Sequence, residues 1–209
     1  MKIIKPSVEI LTPVDGAAIM KHLEVCGRVC YKSEDKISDT SSDAFLAGII
    51  KRGHEAVVEH YSITVKFTCD RGVSHEIVRH RLASYCQEST RYCNYSKGDF
   101  GSEITVIEPL YFSDDSAGYR IWRRSCEAAE TAYFDLLDLG CSPQEARAVL
   151  PNSLKTEVVM TADIREWRHF LRLRDSLAAH PQMREVAHML LLEFRRMMPI
   201  LFGDINPEV

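Results

Sequence analysis

Residues 79–92 read RHRLASYCQESTRY. Three arginines, one histidine and two serines fall within fourteen positions of a chain whose net charge is -4. So many cationic donors in one place call for an anionic partner. A second segment, REWRHFLRLR at 165–174, carries Arg165, Arg168, Arg172 and Arg174 against Glu166 alone. Neither segment contains lysine. A guanidinium offers the planar fork that meets a phosphate or a carbonyl edge with two hydrogen bonds. The rest of the chain is acidic, whereas a protein that tracks a nucleic-acid backbone is usually basic overall. Two Arg patches on an acidic body therefore point to a small anionic ligand. A nucleic-acid-binding module is the weaker alternative, because aromatic residues at the spacing of an RNA-reading sheet are missing.

The chain has 209 residues, and this length suits one domain spanning 1–209. Its 45% apolar and 27% charged content is that of an ordinary globular protein. The start, MKIIKPSVEIL, has lysines but no long apolar stretch behind them, so it does not read as a signal peptide. Apolar runs such as HMLLLEF are too short to span a bilayer. A cytoplasmic protein without membrane contact is the expectation. Seven cysteines without CxxC spacing fit reduced thiols.

Outward from the opening segment, residues 72–82 read as a helix that leads into it, with Arg79, His80 and Arg81 fanning out at its C-terminus. Upstream, YSITVKFTC at 61–69 alternates, with Ile63, Val65, Phe67 and Cys69 on one face, which predicts a half-buried strand. Residues 15–31 and 42–52 have helical spacing, the first placing Cys26 and Cys30 on a core face and the second stopping at Gly53. Downstream, 104–109 predicts a strand and 116–139 a long helix. Ser142, Pro143 and Glu145 mark a helix start with a capping box, and this helix ends near Pro151. Residues 154–162 predict a strand. Asp163 then caps a helix, with Glu166 in the capping-box position, and the last helix runs from Pro181 to about Met198. The tally is a mixed α/β protein of the α+β class. No G-x-G-x-x-G or Walker pattern is present, so a nucleotide would not bind through a Rossmann crossover.

If QESTRY is extended, Gln87, Ser89 and Arg91 share one face, and an amide, a hydroxyl and a guanidinium suit a phosphate and a pyrimidine edge. In the second Arg segment, Ile164, Trp167, Leu171 and Arg174 follow helical spacing, so Arg174 continues an apolar stripe. It either snorkels or pairs with an acid such as Asp175, or it reaches a ligand. His54 and His60 are six apart, not the i, i+4 of a helical zinc pair, and no metal is expected.

The segment at 79–92 resembles the signature of the flavin-dependent thymidylate synthase family: RHR, two open positions, Ser, four open positions, Ser, one open position, Arg. Arg79, His80, Arg81, Ser84, Ser89 and Arg91 fill every fixed place. The stretches GHEAVVEH at 53–60, EARAVLP at 145–151 and REWRHFLRLR at 165–174 are also similar to that family, in the same order. The resemblance implies a fold of its own, with helices on a small, mostly antiparallel sheet, and a homotetramer with active sites at subunit interfaces. It implies conversion of dUMP to dTMP with 5,10-methylenetetrahydrofolate as carbon donor, NADPH as reductant and FAD as the flavin, with tetrahydrofolate released. It also implies roles. Arg79, His80, Arg81, Glu59, Asp163, His169 and His180 would face the FAD, and His54 the folate side of the flavin. Glu76, Gln87, Ser89, Arg91, Arg147 and Arg174 would bind dUMP, Arg174 being the catalytic residue. The chain departs from the pattern at Glu76, where a glutamine is usual, and at Asp163 and His169, where asparagines are usual. A related enzyme that modifies dUMP differently, for example by hydroxymethylation, would need the same sites.

Overall fold

The alternation at 61–69 is present as β3 (Ser62–Asp70), whose Ile63, Val65, Phe67 and Cys69 are all buried. The computed structural model describes residues 1–96 and 101–206. β3 belongs to a four-stranded sheet of order β2-β3-β6-β4, formed with β2 (Ser7–Ile10), β4 (Ala83–Gln87) and β6 (Lys155–Asp163). β1 (Lys2–Ile4) and β5 (Thr105–Ile107) form a separate parallel pair, with Ile3 opposite Val106. The helices are α1 (Gly16–Arg28), α2 (Ser41–Arg52), α3 (Arg71–Ile77), α4 (Ala117–Asp138), α5 (Pro143–Ala146), α6 (Ile164–Arg174), α7 (Pro181–Met197) and α8 (Pro199–Phe202). The architecture is thus mixed α/β, with a small antiparallel sheet as its main β component.

The chain forms two compact units: Met1–Ser7, Phe67–Arg79 and Cys86–Val159 in the first, Val8–Lys66, His80–Tyr85 and Met160–Val209 in the second. In the first, Tyr95, Ile104, Val106, Cys126, Tyr133, Ala146 and Leu154 make the core. α4 enters that core because Ser116 accepts from the Tyr119 N–H at its start and its apolar residues recur at helical spacing. In the second, α1 packs on α2 and α6 on α7. Trp167 is fully buried there between Phe170 and Phe194, and its indole N–H donates to the Ile63 carbonyl at 3.0 Å. Gly53 ends α2 at φ 70, the left-handed conformation that spares glycine the Cβ clash. Among the described residues, no helix is long and apolar enough to cross a membrane.

Four expectations are corrected. The helix predicted over 72–82 ends at Ile77, because Val78 turns to ψ 1 and leaves the helical region. The extended reading of QESTRY holds only to Gln87. Beyond it Ser89 starts a turn, its carbonyl accepting from the Tyr92 and Cys93 N–H groups at 3.2 and 2.9 Å. Ser89 and Arg91 therefore do not share a strand face with Gln87. Cys30 is exposed in a 3-10 turn after α1 and is not a core residue. The helix after Ser142 is a single α turn followed by a 3-10 turn, Arg147–Val149.

Candidate active site

The signature contributes to each unit, and the two groups of residues are distinct. In the first unit, β4 alternates, with Gln87 half-buried and Cys86 exposed. The Gln87 amide donates inward, to Ser74 Oγ at 3.0 Å and Thr156 Oγ1 at 3.3 Å, and Arg71 donates to the same threonine at 3.3 Å. The turn that follows is fixed by Ser89, whose hydroxyl accepts from the Arg91 N–H at 3.3 Å. Arg91 is exposed beside the Tyr92 ring, and Arg147, also exposed, reaches Thr90 Oγ1 at 3.3 Å. Two guanidiniums and the Ser89 hydroxyl thus meet at one turn, a donor set that suits a phosphate. Glu76 is half-buried on α3 and Arg79 exposed just beyond it.

In the second unit the centre is His80. It is only 5% exposed, packed edge-on against Phe170 at 4.9 Å. Its Nδ1 lies 2.8 Å from Glu166 Oε1, and Arg174 Nε donates to its Nε2 at 3.1 Å. An Arg Nε–H can only donate, so His80 Nε2 carries a lone pair, the single ring proton sits on Nδ1, and Glu166 accepts it. Burial pushes the His80 pKa below its ordinary 6.5. Glu166 opposes this, while Arg174 and His169 add to it. Glu166 and Arg174 thus set the tautomer, while burial, aided by Arg174 and His169, favours the neutral ring. Tyr85 closes the group, its hydroxyl donating to the His80 carbonyl at 2.6 Å. Burial, and next the nearby Glu166, push its phenol up to about 12.

A cleft of about 440 Å³ lies beside this group, lined by Glu55, Glu59, Leu82, Asp163, Arg165, Glu166, His169 and Arg172. Its wall is held by Arg168, which is fully buried. That guanidinium forks onto both Asp204 oxygens at 2.8 Å, touches the Leu201 carbonyl and reaches Glu55 at 3.3 Å. Burial pushes the Asp204 carboxyl up, but Arg168 and then Arg172 outweigh this and hold it below the usual range. Glu55 also meets Arg172 at 3.2 Å, and Glu59 pairs with Arg165. Asp163 is the N-cap of α6, accepting from the Glu166 N–H at 2.8 Å, and His180 is the N-cap of α7, accepting from the Gln182 N–H. His169 is exposed on the cleft, its ring 5.4 Å from His80. His54 and Arg81 are exposed.

The four carboxylates on this cleft are wrong for a pyrophosphate but right for N–H and O–H groups, such as a flavin imide or a ribose. Arg81, exposed in the same unit, offers a guanidinium of the kind that suits a phosphate. Taken by donor chemistry, the signature residues fit a flavin nucleotide. They do not fit a metal ion. Ligand atoms of His80, Glu166 and His169 do lie within 4.8 Å of one another. Yet Nδ1 of His80 carries a proton for Glu166, and Nε2 faces a guanidinium.

The sequence pattern hid Glu166, which reads as a helix cap. Its signal was present but ambiguous, since a carboxylate at the third position of a helix can serve either purpose. Tyr85 could have been found by alternation, because in a strand it shares a face with Gln87.

Known proteins resemble this chain over most of its length. The model of the thymidylate synthase complementing protein family, Thy1, matches residues 18–200. The flavin-dependent thymidylate synthase of Mycobacteroides abscessus is 32% identical, over 98% of this chain and 86% of its own length. That of Pyrococcus furiosus is also 32% identical, over 88% of this chain and 72% of its own. Among solved structures, PolB of Streptomyces cacaoi, a UMP/dUMP methylase bound with 5-Br dUMP, superposes with a TM-score of 0.77 at 24% identity. The alignment covers 97% of this chain and 96% of PolB. The match to the family model and to full-length relatives places this chain in the flavin-dependent thymidylate synthase family of enzymes.

Proposed function

We propose that this chain, acting as one catalytic domain over 1–209, methylates dUMP to dTMP. In this reading FAD is the cofactor, 5,10-methylenetetrahydrofolate the carbon donor and NADPH the reductant, and tetrahydrofolate is released. When bound, FAD supplies hydride chemistry, with its electrons drawn from NADPH. The observation that carries the reading is the turn at Ser89, where Arg147 reaches Thr90 beside Arg91. Ser89, Arg91 and Arg147 hold the dUMP phosphate there. Glu76 and Gln87 lie on the elements leading to that turn and bind the pyrimidine, Gln87 through its side-chain carbonyl because its amide N–H is held by Ser74 and Thr156. Arg174 stabilises the negative charge that develops on the uracil carbonyls as C5 acts as the carbon nucleophile. Arg79, His80 and Arg81 would hold the FAD, with the two guanidiniums supplying positive charge and the neutral His80 ring kept in place by Glu166 and Arg174. Glu59, Asp163 and His169, which line the cleft, and His180 would bind the cofactor, and His54 would serve the folate side of the flavin. The assembly is a homotetramer working in the cytoplasm, with active sites at subunit interfaces, as the family resemblance implies.

Cys86 takes no part, since it occupies an open position of the signature and an outward position of β4. The test is NADPH oxidation with and without dUMP and methylenetetrahydrofolate, followed by mass analysis of the nucleotide. dTMP formed only when all three are present supports the reading. A hydroxymethyl product would replace it with the related chemistry. A purified protein that neither carries nor takes up FAD would defeat it.

A further inference from the structure

We propose that Glu166 is a positioning residue, whose buried carboxylate fixes the His80 tautomer that holds the Arg174 guanidinium. The inference rests on the reading of Arg174 as the uracil-side donor. Its geometry, however, stands on the second unit alone.

Glu166 occupies the third position of α6, where the local pattern directs it back to the helix cap. It does not go there. It is 7% exposed and turned to His80 Nδ1 at 2.8 Å. A carboxylate at that depth is costly unless it meets a donor, and the ring N–H is that donor. Deprotonated carboxylates only accept, so Glu166 selects the Nδ1–H tautomer. Free histidine in water favours the other one, with the proton on Nε2. Without Glu166, the ring tends to present Nε2–H to the Arg174 Nε–H, donor against donor.

The Arg174 Nε–H finds an acceptor at His80 Nε2 only in this tautomer. Arg174 is half-buried at the last turn of α6, on the apolar stripe. Its Nε–H bond to His80 restricts rotation of the planar fork about the last side-chain torsions. The acceptor that positions it is therefore a neutral imidazole, oriented in turn by a carboxylate, the same logic by which a carboxylate orients a catalytic histidine. Of the groups facing His80, Tyr85 donates to its backbone carbonyl and Phe170 packs against its ring in an edge-on pair. His169 stands at a centroid distance of 5.4 Å.

The experiment uses full-length, 15N-labelled protein without nucleotide. Long-range 15N correlations of the His80 ring report the tautomer, and the Arg174 Nε–H exchange rate reports the hold on the guanidinium. In the unsubstituted chain the ring should show protonated Nδ1 and unprotonated Nε2, with a protected Arg174 Nε–H. Glu166→Leu should move the proton toward Nε2 and expose the Arg174 Nε–H to exchange. The dUMP affinity should fall about tenfold, the scale of one hydrogen bond. In an Arg174→Lys background the same substitution should cost no further affinity. Should Glu166→Leu fail to fold, Glu166→Gln decides. Its amide carbonyl can still accept from Nδ1–H, so tautomer and protection should both persist. Unchanged Arg174 protection in Glu166→Leu, or a flipped tautomer in Glu166→Gln with full protection, would overturn the proposal. A chain that passes the nucleotide-free measurements yet binds no dUMP would leave the positioning intact and sink the proposed function instead.

Discussion

Ser142-Pro-Gln-Glu145 and Asp163-Ile-Arg-Glu166 are one N-terminal pattern met twice, and only the first closes on itself. At α5 the Glu145 carboxylate accepts from the Ser142 N–H at 2.8 Å and from its hydroxyl at 2.6 Å. At α6 only half of the box forms: Asp163 caps the Glu166 N–H, and the Glu166 side chain turns to His80. The backbone does not explain the difference. The caps sit at φ -70, ψ 157 and φ -73, ψ 168, both in the extended region. What differs is the neighbour. Glu145 is exposed and sees only its own helix start, whereas Glu166 is buried beside an imidazole that needs an acceptor. A local rule that yields to a long-range polar contact marks a site where function outweighs the cap.

The comparison is broken most severely at the arginines that follow the two helix starts. Arg147, after α5, is exposed and touches Thr90, while Arg174, at the end of α6, is tied to His80. Arg174→Lys keeps a charge and an apolar stem but loses the fork. Turnover is expected to drop on the order of 10²-fold with FAD retained, the scale of losing one placed donor. Arg147→Lys leaves a point charge for the phosphate and should show its loss mainly in dUMP affinity. Steady-state kinetics with a dUMP titration against flavin absorbance separate the two. Equal, small effects at both sites would make Arg174 a snorkelling residue.

Next comes the carboxylate itself. Glu166→Ala removes the acceptor of the His80 Nδ1–H, and the stability loss in urea unfolding should be about 1.5–3 kcal/mol, the range for hydrogen bonds to charged groups. The pH dependence should also change. His80 titrates below 6.5 in the fold, so between its folded value and about 6.5 the unfolded chain holds the extra proton. Stability therefore falls as pH drops through that window and levels below it. Glu166 is a cause that raises the His80 pKa against burial. Removing it lowers the folded value further, so the acid-sensitive window should extend to lower pH. A variant with an unchanged window would show that His80 and Glu166 do not interact in solution.

These two helix starts also show how far the sequence could be read. Periodicity located β3, β6, α4, α6 and α7, because each buries one face and its apolar residues recur with that face's period. It passed over β1 and β2, three and four residues long and separated by Pro6, which leave too few positions for a period to emerge. The signature named the residues of both groups, yet its geometry was not readable. Whether Gln87 faces a ligand or Ser74 depends on a β6 threonine, Thr156, that lies 69 positions away. Glu166 illustrates the same limit, since its partner is 86 positions upstream and only the Asp163 half of the local motif forms.

The caps themselves should behave alike, which sharpens the contrast with the carboxylates. Ser142→Ala and Asp163→Ala each remove the oxygen at a helix N-terminus, and each is expected to cost about 1 kcal/mol of stability by urea unfolding. A much larger loss at Asp163 would mean that its carboxylate does more than cap α6.

The smallest effect is expected at Glu145. The Ser142 hydroxyl, then the Ser142 N–H, holds its carboxyl below the usual range. A depressed carboxylate stabilises the fold above its unfolded pKa, and that contribution disappears as pH falls through the folded value. Glu145→Gln keeps an acceptor for both Ser142 groups and loses only the charge, on an exposed side chain that water also solvates. Thermal midpoints of this variant should lie slightly below those of the unsubstituted chain at neutral pH. The two should merge in acid, once the native carboxyl is protonated. Its dUMP affinity and the His80 ring signals should stay where they were. A Glu145→Gln loss as large as that of Glu166→Ala, or one that persists unchanged into acid, would erase the distinction between a carboxylate that closes its own helix and one that is given to the site.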